Sequence, residues 1–518
     1  MKLLTNTWTY AAIMVVAFSW FGNATTAAAQ ENNCSAMLSL TIPSTEILAA
    51  TVIDAFGPLP AHCWVVGVTH GEPGSNVGFD VRLPGNWNGK LLFTTRQGYM
   101  GSLAPLFNAV VSTGLYRNYA TVTTDGGHVG ANILDGSFGL NNRPAEIDFG
   151  YRGVHLAKAA GAAVMNAYYG TGPVHSYYQG CSSSGRYAIQ AAEHFPGDFD
   201  GIIAGAPVVD VSGLVIDEVY IEQAMQTAPL PASKLPVIWN AVTNACDAID
   251  GLVDGLIDDP RKCQFDVNTL LCSSADAPDC LTAAEVGTLT KVYHGAFNST
   301  GQPLFPGFAF GGELPDPDNS NGWDAYIMGS NFFPALDIIL ANQYLRYLAF
   351  DPDRPDFDWT TFNFDTDPPA METMHEIIDP VQDDLRAFGD AGGKMIIYQG
   401  WGDIAQSPYR TIQYYQGLRR HVGRRPVEDY ARLFMAPGMY HCGGGIGPND
   451  FDALTAIEQW VEQRQAPLSI IATHNGGIGR DRTRPLCPFP QHAKYKGSGS
   501  INDAANFKCQ GAPVGTGQ

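Results

Sequence analysis

Three residues far apart in the chain, Ser182, Asp403 and His441, have the types and surroundings of an acyl-transfer site. Ser182 lies in Gly180-Cys181-Ser182-Ser183-Ser184-Gly185-Arg186, between a strand-like run, Val174 to Gln179, and a run of helical spacing that Pro196 stops. A serine on a tight turn between strand and helix has its hydroxyl pushed clear of the sheet, and the first N–H groups of the helix face a developing oxyanion. Asp403 follows the buried-strand run Lys394 to Tyr398, and His441 follows the run Arg432 to Met435. In such a set the serine attacks an ester carbonyl. The histidine takes its proton and returns it to the leaving alcohol, while the aspartate orients the histidine and stabilises its cation. The spacing Gly180-x-Ser182-x-Ser184 lacks the last glycine of G-x-S-x-G, and a frame on Ser183 restores it at Gly185. A serine-rich loop before a helix also serves simply as a cap. A thiol hydrolase using Cys181 with His441 is a further alternative.

The elements that must position these residues alternate between strand and helix. Val77 to Pro84 alternates with period two, as an exposed strand does. Lys90 to Thr95 and Phe199 to Pro207 read as buried strands, Tyr119 to His128 as a strand and its exit loop, and a helix is expected from about Phe149 to Tyr169. Strand–helix–strand alternation makes a mostly parallel sheet with helices on both faces. Chain order Ser, Asp, His, each just past a strand end, is the α/β-hydrolase order. The fold class expected is therefore α/β, with an α/β-hydrolase core. The loop after Lys90 to Thr95 supplies an oxyanion N–H in such folds, which assigns that donor to Gly98 beside the N–H of Ser183. A plain turn glycine is the other reading of Gly98. His128, ahead of the serine, is expected to support its loop by hydrogen bonding. Residues 208–392 change texture, rich in Asp, Pro, Asn and aromatics. Inserted between two sheet strands, they read as a lid domain over the strand ends, with the catalytic domain over 30–207 and 393–518.

A cysteine precedes Ser182 and another follows His441. This Cys-Ser, Asp, His-Cys arrangement resembles the tannase/feruloyl esterase family, and the resemblance extends over most of the chain after residue 29. It implies a secreted serine carboxylesterase acting on esters of aromatic acids: gallate, a hydroxycinnamate such as ferulate, or a terephthalate monoester. It implies a disulfide between Cys181 and Cys442, and the further pairs Cys34–Cys63, Cys246–Cys263, Cys272–Cys280 and Cys487–Cys509. It favours Ser182 over Ser183, because Ser182 adjoins Cys181. The family's usual glycines are replaced here by Gln97 and Ser184.

Within the expected lid, Asp247, Asp250 and Asp254 are spaced around Gly251 and Gly255. Glycine permits the curl that lets three carboxylates approach one cation, although an acidic solvated turn has the same composition. The resemblance implies a structural calcium held by these aspartates and the carbonyls of Leu252 and Leu256. Further on, Arg346 and Phe350 stand one helical turn apart. Together they suit an aromatic acid, by ring contact and a charge-assisted bond, or else form part of a stripe packed on the lid's own core.

The chain has 518 residues and a net charge of −21, which argues against nucleic acid or an anionic membrane as partner and favours small neutral substrates. An acidic surface is also a plain solubility device. Residues 1–29 read as a signal peptide: a basic start, an apolar run from Ala11 to Phe21, and small residues before Gln30. All ten cysteines follow that segment, as in an oxidised, secreted or periplasmic protein. A non-catalytic, calcium-dependent binding protein on a hydrolase fold is the remaining alternative.

Overall fold

Nine strands form one sheet in a computed structural model of the chain, which describes residues 33–316, 321–329, 333–421, 426–474, 476 and 478–511. The expected signal peptide lies outside these residues. In chain order the strands are β1 (Thr45–Ile53), β2 (His62–Thr69), β3 (Val77–Pro84), β4 (Lys90–Thr95), β5 (Ala120–Thr124), β6 (His175–Cys181), β7 (Gly201–Gly205), β8 (Lys394–Gly400) and β9 (Ala431–Ala436). They lie side by side as β1-β2-β3-β5-β4-β6-β7-β8-β9. The β1–β2, β2–β3 and β3–β5 pairs are antiparallel, and every pair from β5 through to β9 is parallel.

Parallel strands covered on both faces are apolar at successive positions, and period two sends alternate side chains to opposite cores. Leu91, Phe93, Ile202 and Ile397 face one core, under the helices Gly153–Tyr169 and Ser183–His194. Leu92, Ile203, Ile396 and Phe434 face the other, where the helix Ala453–Gln463 brings Leu454, Ile457 and Trp460. This is the α/β-hydrolase arrangement. Among the described residues no helix is long and apolar enough to cross a membrane.

Two elements differ from their sequence pattern. β3 reads as an exposed strand but is buried throughout. Its polar residues satisfy one another inside: Arg82 pairs with Asp80 at 2.9 Å, and Trp64 and Thr123 donate to the same carboxylate at 2.7 and 2.6 Å. A buried charge is tolerated when it is paired and hydrogen-bonded in this way. The run Leu468 to Thr473 has the composition of a last sheet strand; it forms the strand Ile470–His474, which pairs with Arg482–Leu486 in a separate two-stranded sheet instead of joining the main one.

Register aligns the ends of the parallel strands: Cys181 lies opposite Gly205, Gly205 opposite Tyr398, and Gly400 opposite Ala436. The chain leaves β7 at this edge and returns only at β8. The stretch between includes the helices Val211–Thr227, Leu235–Cys246, Ala283–His294 and Leu336–Tyr347, of which the first and last pack together. Five disulfides join Cys34–Cys63, Cys181–Cys442, Cys246–Cys263, Cys272–Cys280 and Cys487–Cys509, the pairing the resemblance implies.

Candidate active site

Ser182 occupies the turn between β6 and the helix Ser183–His194, with φ 63° and ψ −134°. Such a backbone is strained for a residue with a side chain and persists only where its neighbours hold it. Here Ser182 N donates to the Gly205 carbonyl at 2.9 Å, and Arg186 N donates to the Ser182 carbonyl at 3.1 Å. The turn also needs close approach on both sides. A Cβ on Gly180 would stand 2.2 Å from Ser184 Oγ, and one on Gly185 would stand 2.6 Å from the Gly205 carbonyl oxygen. Ser184 is accommodated in place of the last glycine of G-x-S-x-G because its side chain is buried against the end of β4. Thr95 Oγ1 donates to Ser184 Oγ at 2.8 Å. Arg186 is buried with its guanidinium over the Tyr187 ring at 4.1 Å and donates to the carbonyl of Ile378, which ties the helix to the inserted stretch.

Asp403 and His441 follow β8 and β9 at the same sheet edge. Asp403 is buried, and each of its oxygens is held: Oδ1 accepts from Ala405 N and Gln406 N, both at 2.9 Å, and Oδ2 from Gln399 Nε2 at 2.8 Å. His441 Nδ1 lies 2.9 Å from Asp403 Oδ2. With Nδ1 so engaged, Nε2 is the nitrogen left to exchange a proton with a substrate or nucleophile. The Tyr326 ring packs edge-on against His441 at 5.9 Å. The Cys181–Cys442 disulfide, with Cα atoms 5.9 Å apart, joins the residue before Ser182 to the residue after His441. With no free cysteine among the described residues, the thiol alternative has no nucleophile.

Ser182 and His441 open on one cavity of about 270 Å³. Gln97, Gly98 and Ser183 line it beside them; Val211, Leu214, Val215, Leu336 and Leu340 of the inserted stretch form an aliphatic wall. Gly98 has φ 60°, and a Cβ there would meet the Ile133 carbonyl oxygen at 2.3 Å, so this position needs glycine. Ser183 opens its helix, where N–H groups have no partner inside the helix. His128 supports its loop not by hydrogen bonding, since both ring nitrogens are buried without a partner, but by stacking on Phe138 at 3.5 Å, and burial pushes its pKa down to about 4.

Arg346 and Phe350 do not line this cavity. Arg346 donates to the Pro355 carbonyl. Phe350 is buried against Phe357 at 5.2 Å, and the guanidinium over its ring, at 3.9 Å, belongs to Arg354. The helix Leu336–Tyr347 ends before Phe350, so the two share no helical face, and both pack within the inserted stretch. One carboxylic acid that the sequence pattern did not single out does line the cavity: Glu218, from the helix Val211–Thr227. Its only sequence signal is acid spacing, Asp217, Glu218 and Glu222, within an otherwise apolar helix.

The loop of Asp247, Asp250 and Asp254 curls through Gly251 (φ 91°) and Gly255 (φ 83°). Asp247 accepts from Asp254 N and Gly255 N at 3.2 and 2.9 Å, and Asp250 accepts from Leu252 N at 2.8 Å. Asp254 accepts from Leu256 N at 3.1 Å and pairs with Arg484 at 2.6 Å and Arg482 at 3.3 Å. Burial pushes the pKa of Asp247 and Asp250 up, and the neighbouring carboxylates add to it. Among the described residues, the acid and histidine ligand atoms that lie within 4.8 Å of one another belong instead to Asp210, His375 and Asp379. That second group is already engaged within the protein. Asp210 caps Gly213 N at 2.7 Å and pairs with Arg410 at 2.9 Å. Asp379 accepts from Val211 N at 2.7 Å and lies 2.8 Å from His375. Burial alone lowers the His375 pKa, but the Asp379 contact outweighs it and lifts the value to about 9, so its ring is a cation at neutral pH.

Residues 63–510 match the family model described as tannase and feruloyl esterase. An uncharacterized esterase of Xanthomonas campestris pv. campestris is 36% identical, over 95% of this chain and 93% of the relative. A mono(2-hydroxyethyl) terephthalate hydrolase of Piscinibacter sakaiensis is 34% identical, over 90% of this chain and 87% of the relative. The crystal structure of feruloyl esterase B from Aspergillus oryzae has the same fold, with a TM-score of 0.82 at 24% identity, covering 93% of this chain and 100% of that one.

Proposed function

As the chain belongs to the tannase and feruloyl esterase family and is a carboxylic ester hydrolase, we propose that it works through an acyl-enzyme on Ser182 and takes esters of aromatic acids. The observation that carries the mechanism is the meeting of Ser182 and His441 on one cavity, with Asp403 2.9 Å from His441 Nδ1. His441 Nε2 takes the Ser182 proton as Oγ attacks the carbonyl carbon. The N–H groups of Ser183 and Gly98 receive the oxyanion, and His441 returns the proton to the leaving alcohol. Water, activated by the same histidine, then cleaves the acyl-enzyme. The aliphatic wall of the cavity suits the apolar face of a ring, and the names of the feruloyl esterase and terephthalate-ester relatives favour an aromatic acyl group. As an ester hydrolase, the chain is not a binding protein on an inactive fold.

We read residues 208–392 as a lid, since its helix Val211–Thr227 walls the cavity. In it we place a structural calcium on Asp247, Asp250, Asp254 and the carbonyls of Leu252 and Leu256. The curled loop supports this, as does Asp258 Oδ1, buried close by without a partner. The ion, when bound, neutralises the crowded carboxylates and takes no part in the chemistry. Five disulfides and the expected signal peptide suit a secreted or periplasmic protein.

The mechanism is tested by Ser182→Ala. Turnover is expected to fall by on the order of 10⁶, with the melting temperature unchanged and fluorophosphonate labelling lost. Activity retained in Ser182→Ala and lost in Ser183→Ala would move the nucleophile by one residue.

A further inference from the structure

Glu218 is 3% exposed, lies in the wall of the cavity that Ser182 and His441 share, and has a buried Oε2 with no hydrogen-bond partner. A polar atom left alone in an apolar site costs about 1–3 kcal/mol. A group that persists there has a partner arriving with the ligand, or a reason to stay neutral. No arginine or lysine lines the cavity among the described residues. The groups that interact electrostatically with Glu218 are acidic or phenolic. They are Asp217 and Glu222 of its own helix, Asp337 of the packed helix Leu336–Tyr347, Tyr99 from the loop after β4, and Tyr326. Asp337 also has both carboxylate oxygens buried without partners.

We propose that Glu218 selects the acyl group: it exchanges a hydrogen bond with a ring hydroxyl of an uncharged aromatic acyl group, and with its acidic neighbours it turns away acyl groups that carry a carboxylate. The inference rests on the aromatic-ester reading above and names the substrate class within it. The cavity, at about 270 Å³, falls at the small end of ligand sites of about 300–1,000 Å³, which suits a single ring with a short chain. Apart from Gln97, Tyr99 and Tyr326, the wall away from Ser182 and His441 is aliphatic, and Glu218 is the acid available to a polar ring substituent. Burial pushes the Glu218 pKa well above the usual carboxylate range, and any charge on Asp337, Asp217 or Glu222 would raise it further. A protonated Glu218 offers both an O–H donor and a carbonyl acceptor, which match a phenol's acceptor and donor. A second carboxylate brought to the same place finds no arginine or lysine in the lining among the described residues and would lose its hydration uncompensated.

The test compares kcat/KM ratios within each protein, which cancels differences in the amount of folded enzyme. The substrates are methyl caffeate against methyl cinnamate, and dimethyl terephthalate against monomethyl terephthalate. The wild type is expected to favour methyl caffeate and dimethyl terephthalate, each by about tenfold or more, the size of one hydrogen bond to a buried polar group. Glu218→Leu is expected to cut the caffeate-to-cinnamate ratio by about tenfold, and Glu218→Gln to keep most of it. An unchanged ratio in Glu218→Leu overturns the inference and leaves the aromatic-ester reading standing. So does a wild type that takes monomethyl terephthalate as well as the dimethyl ester. A wild type that hydrolyses p-nitrophenyl acetate but none of these four esters overturns the aromatic-ester reading, and the inference with it.

Discussion

Gly180 has no space for a side chain because Ser184 fills it, and the two positions act as a pair. A Cβ on Gly180 would stand 2.2 Å from Ser184 Oγ and 2.7 Å from Ser184 Cβ. Overpacking of this kind typically costs about 1–3 kcal/mol, and here the shift falls beside the nucleophile, where a displacement of about 1 Å can cost roughly a hundredfold in rate. Gly180→Ala is therefore expected to lower both denaturant stability and kcat, and adding Ser184→Gly is expected to restore only part of kcat, because the Ser184 carbonyl carbon would still stand 2.8 Å from the new Cβ. Ser184→Gly alone forfeits the bond from Thr95 and costs about 1 kcal/mol. A double variant no more active than Gly180→Ala would show that the two side chains do not compete for this space.

At the scale of elements, the Cys181–Cys442 disulfide clamps the turn after β6 to the loop after β9, across 261 residues of sequence. In the loop-entropy model a link this long stabilises by about 5–6 kcal/mol, although measured values often fall short. It also sets the distance between Ser182 and His441, which need a hydrogen bond of roughly 2.6–3.2 Å in the reacting complex. Replacing both cysteines with alanine should thus remove most activity even well below the variant's melting temperature. Full turnover under those conditions would reduce the bond to a staple for the fold. The 247–258 loop belongs to this scale too. Chelator is expected to lower the melting temperature while leaving the initial rate below that temperature intact, and Asp250→Ala to do the same without chelator. An immediate loss of turnover with an unchanged melting temperature would point instead to a metal in the chemistry.

Over the whole molecule, buried acids make stability depend on pH. Burial pushes Glu193 and Glu222 up to about 8, and Glu146 and Asp125 up to about 7. The folded state keeps protons on these groups that the unfolded chain releases near pH 4, so it binds more protons in between. Their stabilising contribution is complete below the unfolded values and is lost as pH rises toward 8. Acids held below their usual range by partners, such as Asp452 beside Arg117 and Glu462 beside Lys90, act in the opposite sense, but only below about pH 4. The melting temperature is expected to be higher near pH 5.5 than near pH 8.5, and Glu222→Gln to flatten part of that slope. A melting temperature that rises across this range would contradict the burial of these four groups as neutral acids.

Much of this could be read from local pattern. Buried strands announce themselves as short apolar runs. The tight turn at Ser182 shows as serines and glycines between strand and helix, and the order of Ser182, Asp403 and His441 along those strand ends identifies the fold. Cysteines adjoining Ser182 and His441 pointed to their pairing through a family resemblance. Period and spacing specify which residues share a face, but not what covers that face. Helical spacing predicts Arg346 and Phe350 on one face, yet the helix ends at Tyr347 and packing within the inserted stretch brings Arg354 to the Phe350 ring. The alternation in β3 was correctly periodic, but Asp80 and Arg82 could be buried because β2 and β5 supply Trp64 and Thr123 to satisfy them. Ile470–His474 has strand composition, and its partner was decided by where the chain returns, not by its own residues. Glu218 is the plainest case: an acid in an apolar helix reads as solvent-facing, and only the crossing of Val211–Thr227 over the strand ends places it in the cavity wall. Nucleophile, base and fold follow from interactions near in sequence, whereas the shape and polarity of the acyl pocket arise from contacts among separate segments that run from Gln97 to His441.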